Sequence, residues 1–200
     1  AARVAAAARE VAWTAGGLFV LAVDGERAGD AIVRLDGASA RRIVDRERLL
    51  ADPRARQGAA GTSMPRLSTI GASFDGRYLS ARLTTPAGAF ILVLIRASDG
   101  APTGFVTGAS IADIAWSPAR ALVGHTSTDT GGQPARPRAE VRDPANNAVV
   151  AQQDGRFAGW SPDGAHYYVA RAEGLFAFPL AGGAPLRISP IGVPVSTTLP

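Results

Sequence analysis

Cysteine is absent from the 200-residue chain, which excludes disulfides, a thiolate nucleophile and any Cys-ligated zinc site. Lysine is absent as well: all 21 basic residues are arginine. Schiff-base chemistry, a Ser-x-x-Lys dyad and a P-loop lysine are therefore excluded within this chain. No apolar run approaches the 18 residues that a membrane-spanning helix needs. The opening 1-AARVAAAARE-10 carries no initiator methionine and is too broken by arginine for a signal-peptide core, so we expect a processed product or a piece of something longer. Gly-x-Ser-x-Gly, the Asp-x-Asp-x-Asp-Gly calcium loop and a glycine-rich phosphate cradle opening a helix are all missing from the sequence.

Glycine and proline are plentiful, 23 and 14 residues, and they are scattered. That distribution suits many short elements joined by tight turns and argues against long helices. The formal net charge is +4. The arginines are spread from Arg3 to Arg187, with local clusters only at 41-RRIVDRER-48 and 136-RPR-138. Such scatter reads as biased codon usage rather than as a nucleic-acid surface.

The chain repeats. A turn at 160-WSPDG-164 is followed by three short apolar runs, and related stretches begin at 111-IADIAWSPARALVGHTS-127, 70-IGASFDGRYLSARLTT-85 and 10-EVAWTAGGLFVLAVDG-25. With Trp13, Phe74, Trp116 and Trp160 in one aromatic slot, the spacings are 61, 42 and 44 residues. The first exceeds one period by about 20 residues, and the surplus falls in the polar, Arg-rich stretch 45–66, read as a surface excursion with one or two helical turns. Four short strands per period of 40-odd residues is the spacing of a propeller blade. The expected fold is an all-β propeller of about four blades of four antiparallel strands, a partial ring. It forms one domain over 1–200, with blades at 10–44, 67–108, 109–153 and 156–189 and an insertion at 45–66.

Turn chemistry and burial support that architecture. In Ser161-Pro162-Asp163-Gly164, proline presets the backbone, Asp bonds local N–H groups, and Gly supplies positive φ. Asp75 and Asp163 take equivalent turn positions, and Asp24, Asp36 and Asp99 precede glycine in other turns. A four-stranded blade cannot bury both apolar faces alone; neighbouring blades cover them, and the slot aromatics are expected to fill the seams.

The stretch "WSPDG…YYVA…GLFAFPLAGGAPLRIS" resembles the TolB-like, WD-type β-propeller repeat. The match is strong over 160–189 and moderate over 70–108 and 111–152, where Pro118-Ala119-Arg120 replaces Pro-Asp-Gly. It is weak over 10–44. Complete propellers of this type usually have six to eight blades, so four imply about half a ring or an unusually small one; the tail 190–200 resembles the start of a fifth blade, which favours the truncated ring. The resemblance implies a periplasmic or cell-envelope protein-binding domain, or the gating domain of a prolyl-oligopeptidase-type serine peptidase.

The remaining chemistry is thin. His125 and His166 sit on equivalent strands with no acidic cluster nearby, and read as two separate structural or solvent-facing residues rather than a metal pair. The stretch 127-STDTGGQP-134 matches half of an Asp-box and reads as a long hairpin loop. Phe157, Trp160, Tyr167, Tyr168, Phe176 and Phe178 concentrate in the last copy and read as core rather than a stacking platform. The expectation is a non-catalytic scaffold, without cofactor or metal, that binds a protein partner in the bacterial cell envelope. The candidate contact residues are Arg46, Arg48, Arg54 and Arg56 of the insertion, and Arg136 and Arg138 of the loop 128–138. The alternatives are the peptidase gating propeller, whose catalytic half would lie outside this chain, and a polyanion-binding module; nucleic acid is not the expected partner.

Overall fold

A computed structural model describes residues 7–23, 30–56, 65–84, 88, 90–108, 110–129 and 136–190. Asp24, the middle of the insertion (57–64), residues 130–135 of the 128–138 loop and the tail from 191 lie outside the described residues.

Four four-stranded sheets follow one another, each in simple sequence order and antiparallel throughout. Blade one holds β1 (Ala7–Thr14), β2 (Gly17–Val23), β3 (Ala31–Asp36) and β4 (Ser39–Asp45). Two short helices follow, α1 (Arg46–Leu50) and α2 (Pro53–Arg56). Blade two holds β5 (Arg66–Ala72), β6 (Tyr78–Thr84), β7 (Phe90–Arg96) and β8 (Pro102–Gly108). Blade three holds β9 (Ser110–Trp116), β10 (Val123–Asp129), β11 (Arg136–Arg142) and β12 (Val149–Asp154). Blade four holds β13 (Arg156–Trp160), β14 (His166–Arg171), β15 (Gly174–Pro179) and β16 (Leu186–Ser189). The first strands β1, β5, β9 and β13 run beside one another, which is the radial arrangement of a propeller. The ring is an arc and does not close.

The central strand of blade two shows why the blades must stack. Residues 91–95 read ILVLI, and all five are buried. Alternation sends Ile91, Val93 and Ile95 into the cluster shared with blade one, together with Phe19, Leu21 and Ile32. Leu92 and Leu94 turn the other way, onto Ile111 and Val123 of blade three. A third cluster joins Val141 and Ala139 of blade three to Phe157, Tyr167, Val169 and Phe178 of blade four. A continuous apolar run is what a strand covered on both faces requires.

The slot aromatics divide. Trp116 donates from Nε1 to Ser80 Oγ of blade two at 3.0 Å, and Trp160 from Nε1 to the Ala115 carbonyl of blade three at 3.0 Å. Both fill seams as expected. Trp13 is 84% exposed, because no blade precedes it among the described residues. Phe74 is not a slot residue. Register pairs Ala72 with Leu79, as Trp116 pairs with Val123 and Trp160 with Tyr167, so Ala72 holds the slot. Phe74 stands where blade four has Pro162, and is 41% exposed on the turn.

The turns hold as their residues dictate. Ser161 Oγ donates to Asp163 Oδ1 at 2.5 Å and accepts the His166 N–H at 2.9 Å. Ser73 Oγ does the same with Asp75 Oδ1 at 2.7 Å and the Tyr78 N–H at 3.0 Å. Gly76 and Gly164 take φ of 67° and 65°. Each lies against the preceding blade's turn, Gly76 on Gly16 and Gly164 on Ser117.

Candidate functional site

In an antiparallel meander the β1–β2 and β3–β4 turns of each blade share one end of the arc, and the β2–β3 and blade-to-blade connections share the other. The insertion leaves β4 at the connecting end, and Arg136 and Arg138 open β11 there; the insertion then folds back along blade two, so Arg54 lies over Phe105 of β8 and a Cβ on Gly100 of the β7–β8 turn would sit 3.3 Å from Arg48 Nη1. Two sets of groups build the candidate surface: the helical insertion between blades one and two, and the start of β11.

The insertion is anchored as well as exposed. Asp45 caps α1, its Oδ1 accepting the Arg48 N–H at 2.8 Å. Leu49, Leu50 and Ala55 are buried in the blade one–blade two core, so the stretch is tied down by its apolar side rather than being wholly a surface excursion. Buried Asp30 braces its entry and exit: its carbonyl accepts the Arg46 N–H at 2.9 Å, and its Oδ2 accepts the Leu67 N–H at 3.1 Å.

The four insertion arginines therefore differ. Arg46 is half-buried, and its Nε is enclosed without a hydrogen-bond partner. Arg54 grips Asp52 with two bonds, Nε to Oδ1 at 3.0 Å and Nη2 to Oδ2 at 2.7 Å, and lies 4.7 Å over the Phe105 ring. The Arg54 guanidinium holds the Asp52 carboxyl below its ordinary range, and Asp52 in turn raises Arg54. Arg56 donates from Nε to the Leu50 carbonyl. Arg48 is exposed and forms no side-chain ion pair with a described residue.

Arg136 and Arg138 are exposed on β11 and likewise form no ion pair with a described residue. Arg136 lines a cleft of about 570 Å³ between blades three and four, with Asp154, Arg171, Glu173 and Phe176. Arg171 is already committed there. Its Nε donates to the Asp154 carbonyl at 2.8 Å, its Nη2 to Gln153 Oε1 at 3.0 Å, and its guanidinium lies 4.9 Å over Phe178.

In one cleft at the turn end the charges cancel. A cleft of about 440 Å³ between blades one and two is lined by Arg34, Arg77 and Arg96. Each has its own carboxylate, Asp36 at 2.9 Å, Asp75 at 2.5 Å and Asp99 at 3.0 Å. Burial would raise the Asp75 carboxyl, but bonds from Ser73 and Arg77 lower it overall.

The histidines lie apart in role. His166 begins β14 at the turn. His125 is 0% exposed in the blade two–blade three seam, with neither ring nitrogen hydrogen-bonded. Its Nε2 lies 3.9 Å from Glu140 Oε2, which accepts from Arg142 Nη2 at 2.6 Å. Glu140 Oε1 also accepts from Ser127 Oγ at 3.2 Å, which places the first residue of the Asp-box match inside β10. This buried polar group is invisible in sequence, because its members sit on two strands and gain their surroundings only when blade two covers them. No group of three His, Asp or Glu suited to a metal occurs among the described residues. The aromatics of blade four form a packed chain, Phe157 to Trp160 at 5.7 Å and Tyr167 to Phe178 at 5.6 Å, rather than an open platform. No helix is long and apolar enough to cross a membrane.

No protein-family model matches the chain, and neither does any curated protein sequence. Solved structures do. The β-propeller domain of the Trilobed protease from Pyrococcus furiosus overlays with a TM-score of 0.61 at 10% identity, over 92% of this chain and 57% of that one. A prolyl endopeptidase structure gives 0.61 at 14%, over 94% of this chain and 30% of that one. BamB from Moraxella catarrhalis gives 0.51 at 18%, over 88% and 46%. The chain thus spans between about a third and just over half of these proteins. At such identities the likeness establishes the fold, a β-propeller arc, which peptidase propeller domains share.

Proposed function

We propose that this arc is a non-catalytic scaffold of the bacterial cell envelope that holds a protein partner on the exposed arginines of its insertion and of β11. One observation carries the reading. Arg34, Arg77 and Arg96 around the turn-end cleft are each paired with an aspartate, whereas Arg48 of the insertion and Arg136 and Arg138 of β11 are exposed and form no ion pair with a described residue. Unpaired, solvent-exposed guanidiniums on a rigid frame suit an acidic surface, which they would steer and align. Arg54 and Arg56 shape the insertion, and Arg46 supports it from beneath. The envelope location rests on the resemblance of 160–189 to the TolB-like repeat.

The test is affinity capture from an envelope fraction with the natural chain and with an Arg48→Glu, Arg136→Glu, Arg138→Glu variant. Selective loss of one acidic protein supports the reading. An unchanged set of captured proteins rejects it. Salt-dependent retention on a nucleic-acid or heparin matrix, abolished by the same substitutions, would replace it with a polyanion-binding role.

A further inference from the structure

The three seams are not alike. The cluster shared by blades one and two holds seventeen buried apolar residues, and the seam between blades three and four is closed by the rings of Phe157, Tyr167 and Phe178. Between blades two and three the buried apolar set is five residues, Leu92, Leu94, Val106, Ile111 and Val123, beside Trp116. Beyond Val123 the same face of blade three turns polar. Val123, His125 and Ser127 alternate toward blade two, and Arg142, Glu140 and Arg138 stand opposite them on β11.

From buried His125 a chain of contacts runs to blade two. Its Nε2 lies 3.9 Å from Glu140 Oε2. That oxygen accepts from Arg142 Nε at 3.0 Å and from Nη2 at 2.6 Å. Arg142 Nη1 donates to the Asn147 carbonyl at 3.0 Å. Asn147 holds φ of 61° in the β11–β12 turn, and its Nδ2 donates to the Phe105 carbonyl of β8 at 3.2 Å. The Asn147 side chain leaves no room for a Cβ on Gly104, so β8 seats this turn because residue 104 is glycine. The Phe105 ring in turn lies under Arg54 of the insertion.

We propose that this chain of contacts is an acid-released latch. At neutral pH it holds blade three against blade two through Asn147 and Phe105, and protonation of His125 lets those two blades part while the other seams stay closed.

The groups around His125 set the direction. Glu140 favours a charged imidazole, but its Oε2 is already bonded twice by Arg142, and Arg142 opposes a second cation. Arg138 and Asp154, further along the face, are exposed. From blade two, β7 and β8 bring Leu92, Leu94 and Val106, and β6 brings Arg82, which is held by Ser68 and stacked on Phe90. The closed seam therefore keeps the imidazole neutral. With the blades parted, water reaches His125, the ring takes its proton in its ordinary range, and Glu140 is beside it to pair. Acid thus favours the parted form.

The experiment is thiol accessibility in the full chain, which has no cysteine of its own. Val93→Cys, Val123→Cys and Val141→Cys each place one thiol at a fully buried position, in the seams one–two, two–three and three–four respectively. Labelling by a dithiodipyridine reagent is measured at pH 7 and pH 5, and divided by the rate for the urea-unfolded chain at the same pH. The parted form binds its proton at about 6.5 and the closed form at about 4, so the relative rate for Val123→Cys should rise about thirtyfold on acidification, with the other two changing far less. Adding His125→Phe should abolish the rise. Adding Asn147→Gly, which keeps the left-handed turn but removes the bond to Phe105, should speed labelling of Val123→Cys already at pH 7, and this variant decides the matter if His125→Phe fails to fold. An equal rise at all three positions would mean that acid unfolds the chain as a whole, and overturns the latch. No rise for Val123→Cys, a rise that survives His125→Phe, or unchanged protection in Asn147→Gly overturns it as well.

Discussion

The indole N–H of Trp160 donates to the carbonyl of Ala115 across 3.0 Å, binding blade four to blade three through the backbone of the innermost strand. The indole also meets Phe157 at 5.7 Å and Tyr167 at 6.4 Å, both edge-on, so one side chain closes the seam and the blade's own core together. Trp160→Phe keeps most of the apolar area but leaves the Ala115 carbonyl without this donor, which should cost about 1 kcal/mol. Trp160→Ala should cost about 3–5 kcal/mol, and Trp116→Ala about as much. Urea titration separates the two cases. Equal losses for Phe and Ala at position 160 would show that packing contributes little there.

Gly164 and Gly37 both have positive φ, 65° and 60°, but only Gly164 faces a neighbour. A Cβ at 164 would sit 2.7 Å from Ser117 Oγ, while at 37 it would meet nothing within 4 Å. Gly37→Ala should cost about 1–2 kcal/mol, the strain of left-handed backbone alone. Gly164→Ala should cost more, because the blade four turn must also move off blade three. Matching melting points for the two variants would sink this account of the turn-to-turn contact.

What was legible in the sequence was local. The Ser-Pro-Asp-Gly turn satisfies its bonds within five residues, so its chemistry is written in one stretch, and the alternating runs beside it identify strands. The error at Phe74 came from placing an aromatic in every slot. Aligning Ser73 with Ser117 and Ser161 would have put Ala72 in the slot, with 44 residues to Trp116 and 44 more to Trp160. The anchoring of Leu49, Leu50 and Ala55 was hidden because polar neighbours outnumber them. Of the candidate arginines, the sequence could locate the clusters but could not separate Arg46, held from below, from Arg48, exposed to solvent. That distinction depends on which strand ends surround each.

Between blades three and four, Arg156 embraces Asp113, Nη2 to Oδ1 at 2.9 Å and Nε to Oδ2 at 3.1 Å. Asp113 has φ of 54° in the β9 bulge, and its Oδ2 also accepts from Thr126 Oγ1, whose oxygen receives the Phe157 N–H at 2.9 Å. The ion pair is partly exposed, so its direct contribution should be at most about 1 kcal/mol and should fade with salt. A double-mutant cycle of Asp113→Asn and Arg156→Gln should give a coupling of that size. A coupling several-fold larger would mean that the pair holds the bulge and the Phe157 N–H contact in place rather than acting at the surface.

Burial pushes His125 down from 6.5 to about 4, with Glu140 opposing and Arg142 reinforcing the change. In the unfolded chain this imidazole takes its proton as pH falls through about 6.5, whereas in the folded chain it waits until about 4. Between those values the unfolded state binds more protons, so stability is full above about 6.5 and declines as pH drops. The loss should reach about 3 kcal/mol by pH 4, because each tenfold difference in proton affinity between the two states is worth about 1.4 kcal/mol; below that pH this group contributes nothing further. His125→Phe removes the titrating group, and its stability should change less between pH 7 and 4.5 than that of the natural chain. Parallel pH profiles for the two proteins would show that the imidazole is not held neutral in the seam, and that protonation is met there by Glu140.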